Sequence, residues 1–361
     1  MVRKLYVLVM SVLMLCTAAA WSVEADSAVS GPVFVAQDVS RDLITTLHAR
    51  VADVRVLNEE VAQYQTIQTI ASDTGLPSMA VIAPVNNQYL ARFWGGGLGT
   101  WQNANKRKDA TGYKYEGYGA ILGFDRVFGP VVAGISAAYI EGDYKERDAR
   151  RNDSTIKNYA GDIYLTYSAC SGFFATVMAG YTYSDNDLRM DWNGDWQTRD
   201  FHTSTWRAGG KLGYDFAPTE RLTISPSVGA NFFHSQSKGH GVYENNIRQG
   251  RMGKMRHNNV EIPAEVRVAY QVRMTDHSDL TLMANGGYAY NLNDQNVYGT
   301  DTELGGAPER HHGRQQGHNM YTAGAGVKYR NGQWDLGVKY DYLARSKYDS
   351  HRVMGSIGYS F

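Results

Sequence analysis

Six of the ten histidines in this 361-residue chain, His234, His240, His257, His311, His312 and His318, fall in or beside its two longest polar segments. Imidazole suits zinc, copper or nickel, but no pair has the spacing of a defined zinc motif. A solvated polar loop is the plainer reading, and no metal or cofactor is assigned. Asp185, Asp187, Asp191 and Asp195 add carboxylates. With those histidines as bases they would suit a surface hydrolase if the segments converged; loop solubility explains them as well. No Gly-x-Ser-x-Gly elbow occurs, and Gly95-Gly96-Gly97 leads into neither Lys-Ser/Thr nor a helix, so it is no phosphate cradle. No residue is assigned a catalytic role. Lys106-Arg107-Lys108 and Arg150-Arg151 could meet lipopolysaccharide headgroups, though solvated loop charge is the commoner use. Basic and acidic residues cancel at 36 each, which leaves no reason to expect nucleic acid as a partner.

The elements that would position these side chains are strands. From Tyr89 onward the apolar pattern has period two, as in Val260, Ile262, Ala264, Val266, Val268 and Tyr270 against Glu261, Glu265 and Arg267. Trp334, Leu336, Val338, Tyr340 and Tyr342 alternate with Asp335, Lys339 and Asp341, and Val353 to Phe361 repeat the scheme on odd positions. Strand starts are expected near residues 90, 113, 130, 157, 173, 201, 221, 259, 279, 319, 333 and 351, about 12 in all, an even number as bacterial barrels require. Many runs reach ten or more residues, enough to cross a bilayer at a tilt. Tyr181/Tyr183, Tyr288/Tyr290 and Tyr340/Tyr342 lie near strand ends, where aromatic rings favour headgroup depth.

Connection length separates a membrane barrel from a soluble sandwich. Tight turns are expected at Phe128–Pro130, Cys170–Gly172, Ala217–Thr219, Asp276–Ser278 and Asn331–Gly332. The intervening connections at 102–112, 145–154, 184–200, 236–258 and 293–317 are long and polar, with a short last one near Arg345–Tyr348. Short turns on one side and long loops on the other are the pattern of an outer-membrane barrel. The fold class is therefore all-β, a transmembrane antiparallel barrel over 89–361. No internal run is long and apolar enough for a spanning helix.

Upstream, Arg3 and Lys4 precede an apolar core from Leu5 to Leu15, and residues 1–25 read as a secretory signal cleaved after Ala25 or Ala20. Cys16 then leaves with the signal, and Cys170 has no partner for an internal disulfide. Residues 26–37 form a short polar remnant, and 38–88 a helix with its linker. Val39, Leu43, Leu47, Val51 and Val54 recur at helical spacing, with Asp38 or Ser40 as cap. From Asp38 to Leu57 the helix would be roughly 30 Å long, and the pattern could run on to Gly75 before Pro77 and Pro84 break it.

Strand count, upstream helix and terminal phenylalanine together resemble the translocator domain of classical autotransporters (type V secretion). The specific pieces are Arg50-Val51-Ala52-Asp53-Val54-Arg55 at the helix end, Trp94 to Trp101 in the first strand, and Ile357-Gly358-Tyr359-Ser360-Phe361 at the terminus. The resemblance implies a 12-stranded barrel whose pore the helix threads, with Ile357, Tyr359 and Phe361 read by the barrel-assembly machinery after periplasmic chaperones deliver the chain. Outer-membrane lipid is the implied surrounding, a monomer the implied state, and no enzymatic activity is implied. Leu43, Leu47, Arg50, Asp53 and Arg55 would then sit in the lumen, the charged residues pairing with wall groups such as Glu261, Glu265, Arg267, Asp335 and Lys339. Two departures stand out: only about a dozen residues separate signal from helix, where the family carries a long passenger, and Thr45-Thr46 occupies the place of the self-cleaving Asn-Asn pair. Asn86-Asn87 falls outside the helix. A porin-like channel, an adhesin or a surface hydrolase remain as other readings.

Overall fold

A computed structural model describes residues 30–71, 91–106, 112–147, 153–169, 171–192, 195–238, 240–244, 247–252, 255–275, 278–293, 298–303, 309–312 and 317–361. The expected signal and its Cys16, the breaks at Pro77 and Pro84, Asn86-Asn87, Cys170, Arg107, Lys108, Arg150 and Arg151 lie outside these residues.

Twelve long strands form one closed antiparallel barrel. They are β1 (Ala91–Ala104), β2 (Tyr113–Phe128), β3 (Val131–Glu146), β4 (Asp153–Ser168), β5 (Phe173–Trp192), β6 (Asp195–Tyr214), β7 (Leu222–Ser237), β8 (Met255–Thr275), β9 (Ser278–Asn291), β10 (Asn319–Asn331), β11 (Trp334–Arg345) and β12 (Tyr348–Ser360). Each pairs with its sequence neighbours, and β1 also pairs with β12 from Arg92↔Ser360 to Ala104↔Tyr348. Backbone bonds between Ala91 and Phe361 of 3.1 and 2.9 Å finish the seam. Closure leaves no strand edge, the condition for a sheet in hydrocarbon.

Side-chain parity follows the expected pattern. Val353, Ile357, Leu336, Val338, Val266, Leu282, Ile163 and Val228 face outward, whereas Arg352, Asp335, Glu261 and Arg207 are buried inward. The faces of the Gly-rich β1 and β2 are now assigned: Phe93, Tyr118 and Leu122 point out, and Trp94, Leu98 and Ile121 point in. Outward aromatics pair across strands in two bands. Tyr139/Tyr159, Tyr181/Trp206, Trp101/Tyr118 and Tyr288/Tyr321 lie toward the long-loop rim, with Phe93/Phe361 and Trp334/Tyr359 at the tight-turn rim. Gly129 and Gly332 open two-residue turns at φ of 59° and 56°, a backbone region that a side chain would strain.

Two expectations about the strands and their connections are corrected. The Ala217–Thr219 turn is instead a short strand, Phe216–Thr219, folded back on β7, so that the chain reverses at Glu220 and Arg221. The segments read as long loops also contain much sheet. β5 and β6 stay paired to Trp192↔Asp195, His240–Glu244 pairs antiparallel with Ile247–Met252, and Tyr298–Glu303 pairs with Glu309–His312. These pairs join β6 and each other through Gln197↔Glu244 and Gly250↔Glu303. Above the upper aromatic band the polarity inverts. Lys114, Glu116, Glu141, Asp143 and Asp187 point outward there, and Tyr113, Tyr115, Ile140, Tyr144 and Leu188 point inward. An apolar-outward rule therefore misses these strand ends, which accounts for the late starts expected for β4, β6 and β8.

One helix, α1 (Ser30–Ala71), is present among the described residues. It begins at Ser30, not Asp38, and Asp38 and Ser40 are interior side chains that do not cap it. Residues 32–41 are all buried. A helix enclosed by protein on every side needs no single apolar stripe, so periodicity alone could not find its first turns.

The lipid-facing assignment predicts the cost of one charge. Val338 lies outward, midway between Trp334 and Tyr342 on β11, and Val338→Lys should lower barrel stability by about 2–4 kcal/mol. Urea titration in lipid vesicles, followed by the mobility shift of the folded barrel, measures it.

Candidate functional site

The lumen is the site, and α1 occupies it. Asp38 of α1 meets Arg345 at the long-loop end of β11, and Arg55 meets Asp215 just past the opposite end of β6. The helix therefore enters at the long-loop rim and runs toward the tight-turn rim. From Asp38 to Arg55 it spans about 25 Å at 1.5 Å per residue, close to a hydrocarbon core.

The first layer, at the long-loop rim, is apolar. Val35 and Val39 join Tyr113, Tyr115, Tyr144, Ile140, Ile156 and Phe233 in the core. Phe34 meets the His257 ring edge-on at 5.3 Å. His257, expected in a loop, is instead a buried inward residue of β8.

Ion pairs hold the layers below. Arg41 Nε donates to both Glu261 oxygens at 2.9 and 3.1 Å, Asn259 Nδ2 donates to Glu261 at 2.8 Å, and Arg41 Nη1 donates to Asp38. Arg345 Nη2 reaches Asp38 at 2.9 Å, and Ser40 Oγ lies 3.2 Å from Thr182 Oγ1. One turn on, Asp42 accepts from Thr100 at 3.1 Å, and Arg352 bridges the Asp42 carbonyl to Asp341. Arg50 then donates to Asp125 at 2.9 Å, lies 3.7 Å from Asp335 and sits over the Trp94 ring. Trp94 Nε1 and the Tyr164 hydroxyl donate to the other Asp125 oxygen. Last, Arg55 grips Asp215 with two bonds of 3.1 and 3.2 Å, its guanidinium 3.4 Å from the Phe174 ring centre. Burying so many charges is tolerable only because each has an opposite charge and further hydrogen bonds.

The expected site residues sort as follows. Leu43 and Leu47 are fully buried, and Arg50 and Arg55 are in the lumen; the Asp53 side chain lies outside the described ones. Among the expected wall partners, Asp335 reaches Arg50, whereas Glu261 takes Arg41. Glu265 lies 3.6 Å from Lys211, Lys339 lies 2.8 Å from Asp341, and Arg267 Nη2 lies 2.9 Å from Met283 Sδ. Sequence reasoning missed Asp38, Arg41, Asp125, Asp215, Arg345 and Arg352 as helix contacts. Inward parity marked Arg352, and would have marked Asp125 once the faces of β2 were known.

Among the described residues, the side chains weighed for metal or hydrolytic chemistry do not converge. Asp185 pairs with His202 at 3.1 Å on the outward face, His234 meets Asn258, and His318 meets the Asn291 carbonyl and stacks on Tyr290. Among the described residues no three His, Cys, Asp or Glu groups are placed to hold a metal; the side chains of His240, His311, His312, Asp191 and Asp195 are outside that set.

A closed 12-stranded barrel with a charged lumen filled by its own upstream helix is the architecture of a protein-translocating outer-membrane pore. The autotransporter β-domain family model matches residues 93–341, and the chain belongs to that family. No curated protein matches the sequence. The translocator domain of NalP from Neisseria meningitidis is similar in structure at 13% identity and TM-score 0.62, with 76% of this chain and 90% of that one covered. The β-domain of Bordetella BrkA gives 15% and 0.57 over 75% and 100%, and the transport unit of AIDA-I from Escherichia coli 16% and 0.56 over 82% and 97%. The protein is thus an outer-membrane autotransporter translocator barrel, a class of domain that is generally non-enzymatic.

The Arg50 lock yields a test. Arg50→Leu leaves Asp125 buried beside only neutral donors, and removing one partner of such a pair costs about 3–5 kcal/mol. The loss should fall on helix docking, seen as faster proteolysis of α1 while the barrel keeps its folded mobility.

Proposed function

We propose that α1 is the resident plug of the translocator, and that the segment ahead of Ser30 is delivered to the cell surface and anchored there. The observation that carries this reading is the stack of buried Arg–carboxylate pairs joining α1 to the wall at several heights. The long-loop rim faces outward from the cell and the tight turns face the periplasm. The sheet extending above the upper aromatic band is a rigid extracellular wall, its outward Lys114, Lys145 and Arg189 meeting lipopolysaccharide phosphates. Ile357, Tyr359 and Phe361 form the terminal signal for the barrel-assembly machinery, with periplasmic chaperones holding the unpaired strands beforehand. The barrel acts as a monomer, since its twelve long strands are each paired on both sides and present no edge at membrane depth to another copy.

Deleting residues 26–75 should raise single-channel conductance several-fold over the intact protein; no rise would sink the plug. Removing Phe361 should lower the amount of folded barrel recovered from outer membranes, with the unassembled chain in the periplasm. Normal assembly without Phe361 would remove it from the signal.

A further inference from the structure

The helix does not sit on the barrel axis. Val39, Leu43, Leu47 and Val51 lie in the apolar core with Trp94, Leu98, Ile121, Ile140 and Tyr164 of β1 to β4, and the α1 backbone comes nearest to β4, β5, β6 and β7. The other face, Asp42, Thr45, His48 and Ala52, recurs at helical spacing and borders open space. Two cavities lie in that space, each with about 80 Å³ of room for the centres of water molecules, against roughly 10–15 Å³ for a single water on that measure. Both are lined by Thr45, His48, Lys211, Glu265 and Asn285. Their shared lining makes them sections of one cleft between α1 and the arc from β6 to β12.

The section nearer the tight turns has an uneven lining. Arg50, Arg55, Lys211, Arg267, Lys328 and Lys339 border it, with Glu265 as the one bordering carboxylate among the described residues. Asp125, Asp215 and Asp335, which pair with Arg50, Arg55 and Lys328, do not line either cavity. They stand behind the cations they neutralise. His48 Nε2 is buried, has no hydrogen-bond partner among the described residues, and belongs to a side chain bordering both sections.

We propose that this cleft is an anion-preferring path for small ions alongside the docked helix. In the section nearer the tight turns the bordering cations outnumber the bordering carboxylates, and low-dielectric walls focus that field. The other section, with Asp42, Glu261, Glu265 and Asp341 facing Arg41, Lys211 and Arg352, is nearly balanced, so the first section sets the preference. Basic side chains around a constriction are the usual basis of anion preference in pores. Thr45, Ser225, Ser227 and Asn285 line the same space and supply polar groups that replace part of an ion's water. The proposal rests on the reading that α1 stays docked.

The test is the reversal potential of the purified full chain in planar bilayers under a potassium chloride gradient. The intact barrel should show a small conductance with a chloride-to-potassium permeability ratio above unity. Lys211→Glu with Lys339→Glu should bring the ratio below unity, and Arg267→Gln, a milder change, should lower it without inverting it. Lys211→Arg with Lys339→Arg should preserve it, and folded mobility is verified for every variant. An intact ratio at or below unity, or one unchanged by the acidic pair and by Arg267→Gln, overturns the anion preference. A silent intact barrel beside a conducting 26–75 deletion overturns the path but leaves the plug standing. An intact barrel as conductive as the deletion overturns the docked helix and the path with it.

Discussion

Hydrocarbon offers a peptide group nothing to bond with, and the rest of this molecule depends on that fact. Each N–H and C=O at membrane depth must find its partner in the chain, and a sheet achieves this only by closing on itself. The register from Arg92↔Ser360 to Ala104↔Tyr348 is that closure. Once the sheet is closed, alternate side chains must face lipid and the others must share an interior wide enough to need filling. The helix answers the second requirement and the outward apolar band the first.

Filling the lumen with helix creates an electrostatic problem, because the wall already carries inward charge. The solution is reciprocal: arginines of α1 take carboxylates of the wall, and Asp38 of α1 takes Arg345. Small residues make room where these groups approach the sheet. A side chain at Gly358 would overlap the Asp335 carboxylate, and one at Gly180 would overlap Asp162 beside Arg207. The glycines of the wall are thus part of how its charges are seated.

The barrel was legible in the sequence because lipid imposes a simple filter on alternate positions. Val338, Leu336 and Tyr340 could not be polar, and the period-two signal there is clean. The same filter fails above the upper aromatic band, where Lys157 and Asp187 face water and Ile156 and Leu188 face in. The strand ends and the sheet within the supposed loops were lost for that reason. The stripe Val39, Leu43, Leu47 and Val51 marked the helix because one of its sides does meet an apolar wall. Its start was hidden because Val33, Phe34 and Val35 are enclosed all round and show no periodicity. Partner choice in the lumen was the least legible part. Arg50 was assignable to the interior, but its preference for Asp125 depends on how far the helix has slid along the pore, a distance that no local pattern encodes.

The spacing of the ion pairs along α1 also has a mechanical meaning. Arg41, Arg50 and Arg55 are held at different depths by Glu261 on β8, Asp125 on β2 and Asp215 just past β6. A pull along the pore axis loads these bonds in parallel, so the intact helix resists withdrawal as a bolt resists shear. Unwinding from one end loads them in series, one pair at a time, and opens locally without straining the closed sheet. The low-force exit from the pore is therefore through loss of helix, and the barrel need not deform for its occupant to leave.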